Sequence, residues 1–78
     1  MKFPVDAPQT KVRKALTKLG FVLVREGNHV IMERTKADGT ISSLVLPNHH
    51  HLKSSTLRSI CTQADISRDD FLRAYSEA

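Results

Sequence analysis

At 78 residues the chain has room for one small domain, expected to span residues 1–78, and this excludes any architecture that needs two lobes. Hydrophobic residues make up 40% and charged residues 26%, too apolar for a disordered chain, while the longest unbroken aliphatic or aromatic run, residues 21–24, is far too short to span a membrane. Twelve Lys and Arg against eight Asp and Glu give a net charge of +4; no signal-peptide core follows Met1 and Lys2, and lone Cys61 cannot close an internal disulfide, so a reducing, cytoplasmic setting is expected.

Residues 1–9, with Pro4 and Pro8, read as an extended lead-in. From Lys11 the pattern is helical: Val12, Ala15, Leu16 and Leu19 fall at i, i+3, i+4 and i+7 and form one apolar stripe. Thr10 or Asp6 is the candidate cap, and Gly20 suits the left-handed position past the last turn. At about 100° per residue, Lys11, Lys14 and Lys18 gather on the flank of that stripe. Three like charges at these spacings oppose the helix slightly, so they form either a plain solvated face or an anion-binding ridge.

Strand signals follow. Residues 21–25 are β-branched and aromatic, Gly27-Asn28 predicts a two-residue turn, and residues 29–35 run back. Asp38-Gly39 marks a second hairpin into residues 41–46, which Pro47 ends. So small a meander needs a cover. Leu57, Ile60, Cys61 and Ala64 supply part of it at helical spacing, behind Ser54 and Ser55 as candidate caps. Ser67 with Asp70 three residues on reads as a capping box, with Ile66 and Phe71 at the staple positions, Asp69 and Asp70 complementing the dipole, and Leu72 and Tyr75 continuing the apolar side. The predicted order is α-β-β-β-α with a short C-terminal helix. This is an α+β layer like a double-stranded-RNA-binding domain, with a three-stranded antiparallel sheet covered on one face by helices.

The charge is unevenly placed. Residues 1–36 hold eight cations (Lys2, Lys11, Arg13, Lys14, Lys18, Arg25, Arg34, Lys36) against three acids (Asp6, Glu26, Glu33), whereas the remainder holds four cations against five acids. A basic half favours a polyanionic partner, since each Lys or Arg near a phosphate releases condensed counterions. The plain alternative is a merely soluble surface.

The four histidines are the groups able to carry catalysis or a metal. With a two-residue turn, His29 lies across from Glu26, and a carboxylate beside an imidazole raises its pKa and orients it for proton transfer. The alternative is a half-exposed turn histidine without a task. In the run His49, His50, His51, alternation lets only His49 and His51 share an ion, and no nearby Cys, Asp or Glu completes a tetrahedral set, so no metal site is expected. Cys61 sits on the apolar stripe of its helix and reads as core. No phosphate loop or nucleophile-elbow motif is present. Aromatics are 5% of the chain, too few and too scattered for a base-stacking RNA reader, which leaves recognition of backbone and shape.

Several segments together resemble the HicA-type (YcfA-like) toxins of bacterial toxin–antitoxin pairs. They are Leu19-Gly20-Phe21 closing the first helix, the Gly27-Asn28-His29 turn, Leu46-Pro47-Asn48-His49 ending the third strand, and Ser55-Thr56-Leu57-Arg58-Ser59-Ile60, followed by Gln63-Ala64-Asp65-Ile66-Ser67 and Asp70-Phe71-Leu72. The likeness spans about residues 10–75, and its specificity lies in the order and spacing of the pieces. It implies a double-stranded-RNA-binding-like fold and an endoribonuclease that cleaves mRNA and arrests translation. It also implies one catalytic histidine after the turn, here His29, and a HicB-type antitoxin that covers the active surface and represses the shared operon. The chain departs from the family in a loop before His29 that is about one residue short, in Ser55 where a Gly usually precedes the Thr, and in extra histidines before Lys53.

The implied chemistry is physically sound. RNA carries its own nucleophile, the 2′-OH, so cleavage needs a proton acceptor, a proton donor and charge stabilisation, with metal optional and no cofactor expected. A histidine can take either proton role at cellular pH, with Glu26 as the group to orient it. Candidate RNA-binding groups are the Lys11, Lys14 and Lys18 ridge, Arg25 on the first strand, and the turn from Lys53 to Thr56, where free N–H groups at a helix start can hold a phosphate. Two further readings stand beside the toxin: a noncatalytic RNA-binding module, and a decayed toxin kept as a regulator's partner.

Overall fold

The computed structural model describes residues 2–78. Two short strands and three helices accompany a three-stranded antiparallel sheet: β1 (Ala7–Pro8), α1 (Gln9–Lys18), β2 (Val22–Glu26), β3 (His29–Thr35), β4 (Ile41–Pro47), β5 (His51–Leu52), α2 (Ser54–Ala64) and α3 (Arg68–Glu77). The sheet order is β2-β3-β4, and β1 and β5 form a separate two-stranded ladder. This is the expected α+β, double-stranded-RNA-binding-like layout, with two additions. The lead-in is not free to its end: Ala7 pairs with Leu52 and is fully buried. The final helix is as long as the first, 10 residues each.

The apolar stripes bury as their spacing requires. Val12, Ala15 and Leu16 of α1, Leu57, Ile60, Cys61 and Ala64 of α2, and Phe71, Leu72 and Ala74 of α3 close over Val30, Met32, Leu44 and Leu46, which alternate along β3 and β4 toward the helices. Each large side chain so buried contributes about 1.5–3 kcal/mol of transfer free energy. A Leu16 or Leu44 left exposed would weaken so small a domain severely.

Helix ends differ in how they are satisfied. α1 stops in a Schellman arrangement: the Phe21 N–H donates to the Leu16 carbonyl at 3.0 Å and the Gly20 N–H to the Thr17 carbonyl at 3.0 Å, with Gly20 at φ +97°. Arg34 Nη1 donates to the Leu19 carbonyl at 3.1 Å, and its guanidinium lies 4.7 Å from the Phe21 ring centre, so a cation closes the negative end of the helix. Ser67 caps α3 as expected, its Oγ accepting from the Asp70 N–H at 3.1 Å. The other expected caps are corrected. α1 has Pro8 at its cap position and α2 has Lys53, neither making a side-chain capping bond, while Ser54 and Ser55 lie inside the first turn.

The first hairpin also departs from expectation. Glu26 pairs with Val30 and Arg25 with Ile31, so Gly27, Asn28 and His29 form a three-residue connection rather than a two-residue one. Neither Gly27 nor Asn28 has a positive φ, which excludes the primed turn that Gly27-Asn28 predicted. The pairing slips between Leu23 and Arg25, a bulge at Val24 that turns Arg25 onto the face of Ile31.

The two glycines predict opposite outcomes. Gly20→Ala, forced into left-handed backbone against Arg34 Cδ at 3.4 Å, should cost about 1–2 kcal/mol in urea unfolding. Gly27→Ala, with nothing within 4 Å of its new methyl, should stay within about 0.5 kcal/mol. Burial pushes the Cys61 thiol up to about 11 from an ordinary value near 9.0. A thiol raised in the folded state contributes stability that is whole below the lower value and lost as pH climbs through the higher one. The unfolding midpoint should therefore fall between about pH 9 and pH 11, with a shallower fall in Cys61→Ala.

Candidate functional site

His29 opens β3 at the end of the first hairpin, on the sheet face that no helix covers. Its neighbour Val30 points into the core, and alternation puts His29, Ile31 and Glu33 on the opposite side. His29 pairs across the sheet with Pro47, Ile31 with Val45. The imidazole is exposed, and it lines a recess of about 300 Å³ with Arg25, Gly27, Asn28 and Ile31. Arg25 thus shares a wall with His29, as the bulge at Val24 requires.

The turn is held by polar groups from two other elements. Asn48, just past β4, donates from Nδ2 to the Gly27 carbonyl at 2.8 Å. Gln9, the first residue of α1, donates from Nε2 to Asn48 Oδ1 at 3.1 Å and to the Pro47 carbonyl at 3.1 Å, while its own N–H donates to the His50 carbonyl at 2.9 Å. Gln9 is only 8% exposed, so these bonds offset the cost of burying an amide. The Gly27 N–H completes the set, donating to the His29 carbonyl at 3.0 Å.

The other expected residues are dispersed. Glu26 is not across from His29, and its carboxylate is taken by Arg13 through a two-pronged contact at 3.1 and 3.4 Å. The lysine ridge divides: Lys11 is half-buried with its ammonium 4.4 Å from the Tyr75 ring centre, whereas Lys14 and Lys18 are exposed along a groove of about 510 Å³ that ends at Glu77 and Ala78. Lys53 is exposed at the start of α2, and Thr56 is half-buried in its first turn. None of these lines the His29 recess.

His49, His50 and His51 are exposed along a separate recess of about 450 Å³ beside Gln9 and Thr10. The run is not one continuous strand, since only His51 belongs to β5, so the alternation expected for it does not apply. Among the described residues, no group of three or more His, Cys, Asp and Glu is arranged to hold a metal ion. Gln9 and Asn48 are site-building residues that sequence reasoning missed. The signal for Asn48 was its place after strand-ending Pro47, while Gln9 carried none, because its partners lie 38 and 39 residues away.

A search of curated proteins finds no match, and a search of solved structures finds none. A family model described as the HicA toxin of bacterial toxin–antitoxin systems matches residues 10–66. That stretch contains the whole three-stranded sheet, the His29 turn and α2, and with more than half of the chain matched, this protein belongs to the HicA toxin family.

Proposed function

We propose that this chain is a toxin that cleaves mRNA in the bacterial cytoplasm, with His29 as its proton-transfer group. The observation that carries the reading is an exposed histidine on a braced turn, sharing a recess with Arg25 on a sheet face free of helices. In the reaction the ribose 2′-oxygen bonds to the adjacent phosphorus and the bond from phosphorus to the 5′-oxygen breaks. The 2′-hydroxyl loses a proton and the departing oxygen gains one. His29 serves one of these two transfers, and Arg25 steadies the charge on the five-coordinate phosphorus. Glu26, bound to Arg13, has no part in orienting the ring. Lys14, Lys18, Lys53 and the N–H groups near Thr56 lie outside the recess and serve the RNA backbone at a distance from the cut. Lys11 is committed to Tyr75 and contributes less.

Family membership implies an antitoxin, and the helix-free face is suited to receive it. Ile31 is half-buried there, Val22 and Ile41 are each 63% exposed and Val45 41%, an apolar surface continuous with His29 through the pairs Ile31–Val45 and His29–Pro47. A HicB-type partner seated on it would bury the imidazole. The net charge of +4 favours an acidic one, bound more weakly as salt rises.

His29→Ala should restore growth to cells expressing the protein without an antitoxin and lower RNA cleavage by about 100-fold or more, with an unchanged melting temperature. A folded alanine variant that stays toxic would refute the catalytic role. Chelator-treated protein that binds RNA but never shortens it would instead favour the noncatalytic binding module. Ile41→Glu, at the end of this apolar surface away from the His29 recess, should weaken antitoxin binding by more than about tenfold in titration calorimetry while leaving RNA cleavage intact.

A further inference from the structure

The His29 side chain makes no hydrogen bond of its own among the described residues, so its aim depends on the backbone that carries it. That backbone is held within the hairpin by the Gly27 N–H on the His29 carbonyl at 3.0 Å, and it is also fixed from outside the hairpin. The hairpin connection has neither a two-residue length nor a primed geometry to stiffen it, and β2 is exposed along its whole length. What holds the Gly27 carbonyl is the Asn48 amide at 2.8 Å, and what holds Asn48 is Gln9, buried at the start of α1. Gln9 also binds the carbonyl of Pro47, the cross-strand partner of His29, at 3.1 Å. Two arms from one buried amide thus reach the residue opposite His29 and, through Asn48, the turn just before it.

We infer that Asn48 is a positioning residue for His29, with Gln9 as its anchor: the Gln9–Asn48–Gly27 chain sets the orientation of the turn and so of the imidazole. The inference rests on the proposed role of His29. Asn48 touches no reacting group. It acts because a side chain free to rotate about only two bonds is aimed chiefly by its backbone, and small misplacements of a proton-transfer group are costly. An amide is required at this position because it must donate to one carbonyl while accepting from another amide.

Asn48→Asp is the discriminating variant. It keeps the shape and the acceptor facing Gln9, and it replaces the donor facing Gly27 with a carboxylate oxygen that repels the carbonyl. Expected are a fall in kcat of about 10- to 100-fold on a short RNA, a KM within about twofold of wild type, and faster amide hydrogen exchange at Gly27, Asn28 and His29. The double variant Asn48→Asp with His29→Ala should cleave no more slowly than His29→Ala alone, because both changes act through the same ring. Wild-type kcat would overturn the inference, as would a change confined to KM or a further loss in the double variant. Should wild type and His29→Ala cleave RNA equally, the nuclease reading falls by itself. Hydrogen exchange then decides the latch: faster exchange confined to residues 27–29 in Asn48→Asp upholds it, and unchanged exchange removes it. Gln9→Glu, which loses both donated bonds, provides a second arm if the Asn48 variant does not fold.

Discussion

A sheet of three strands must hide one face from water, and a chain this short has helices enough for one face only. Val30, Met32, Leu44 and Leu46 take that cover from the helices, and everything on the other side of the same strands is left open. The open side is where His29, Arg25, Ile31 and Val45 come together. The one-sided core is therefore the reason that the molecule has a broad open face, and also the reason that this face carries exposed apolar side chains.

The second constraint is polar. The start of α1, the exit from β4 and the turn between β2 and β3 converge, and the last two bring the Pro47 and Gly27 carbonyls within reach of side-chain amides. Gln9 and Asn48 satisfy them in series, joining an element from the beginning of the chain to one from its middle. Arg13 adds a tie between α1 and the same hairpin through Glu26, at an exposed position where an ion pair contributes little. The hairpin is thus tied to other elements by side chains, as well as by its own pairing with β4.

Charge is spread around this frame with less focus than residue counts imply. Lys11 is drawn onto Tyr75, where the helix packing of α1 against α3 supplies an aromatic face, and Arg34 is used to close α1. Arg25 reaches the His29 recess because a bulge turns it there. A basic half-chain therefore yields one cation at the candidate centre, with Lys14 and Lys18 on a separate groove.

The amino-acid sequence by itself determined the helices, the meander, and His29 as the residue to watch. These are local matters: apolar spacing at 3.6 or 2 residues, the Gly20 stop and the Ser67 cap each act within one turn or one pair of strands. Only the tertiary structure decided the rest. The partner of Glu26 is Arg13 because α1 brings that guanidinium within 3.1 Å, and the turn holds three residues because the bulge at Val24 shifts the register by one. Lys11 left the ridge because a ring from α3 lay within reach, and Gln9 became a buried anchor because residues 38 and 39 positions away arrived beside it. Spacing along a chain encodes which face a residue takes, but side-chain partners depend on which elements pack together, and a single sequence carries no local record of that.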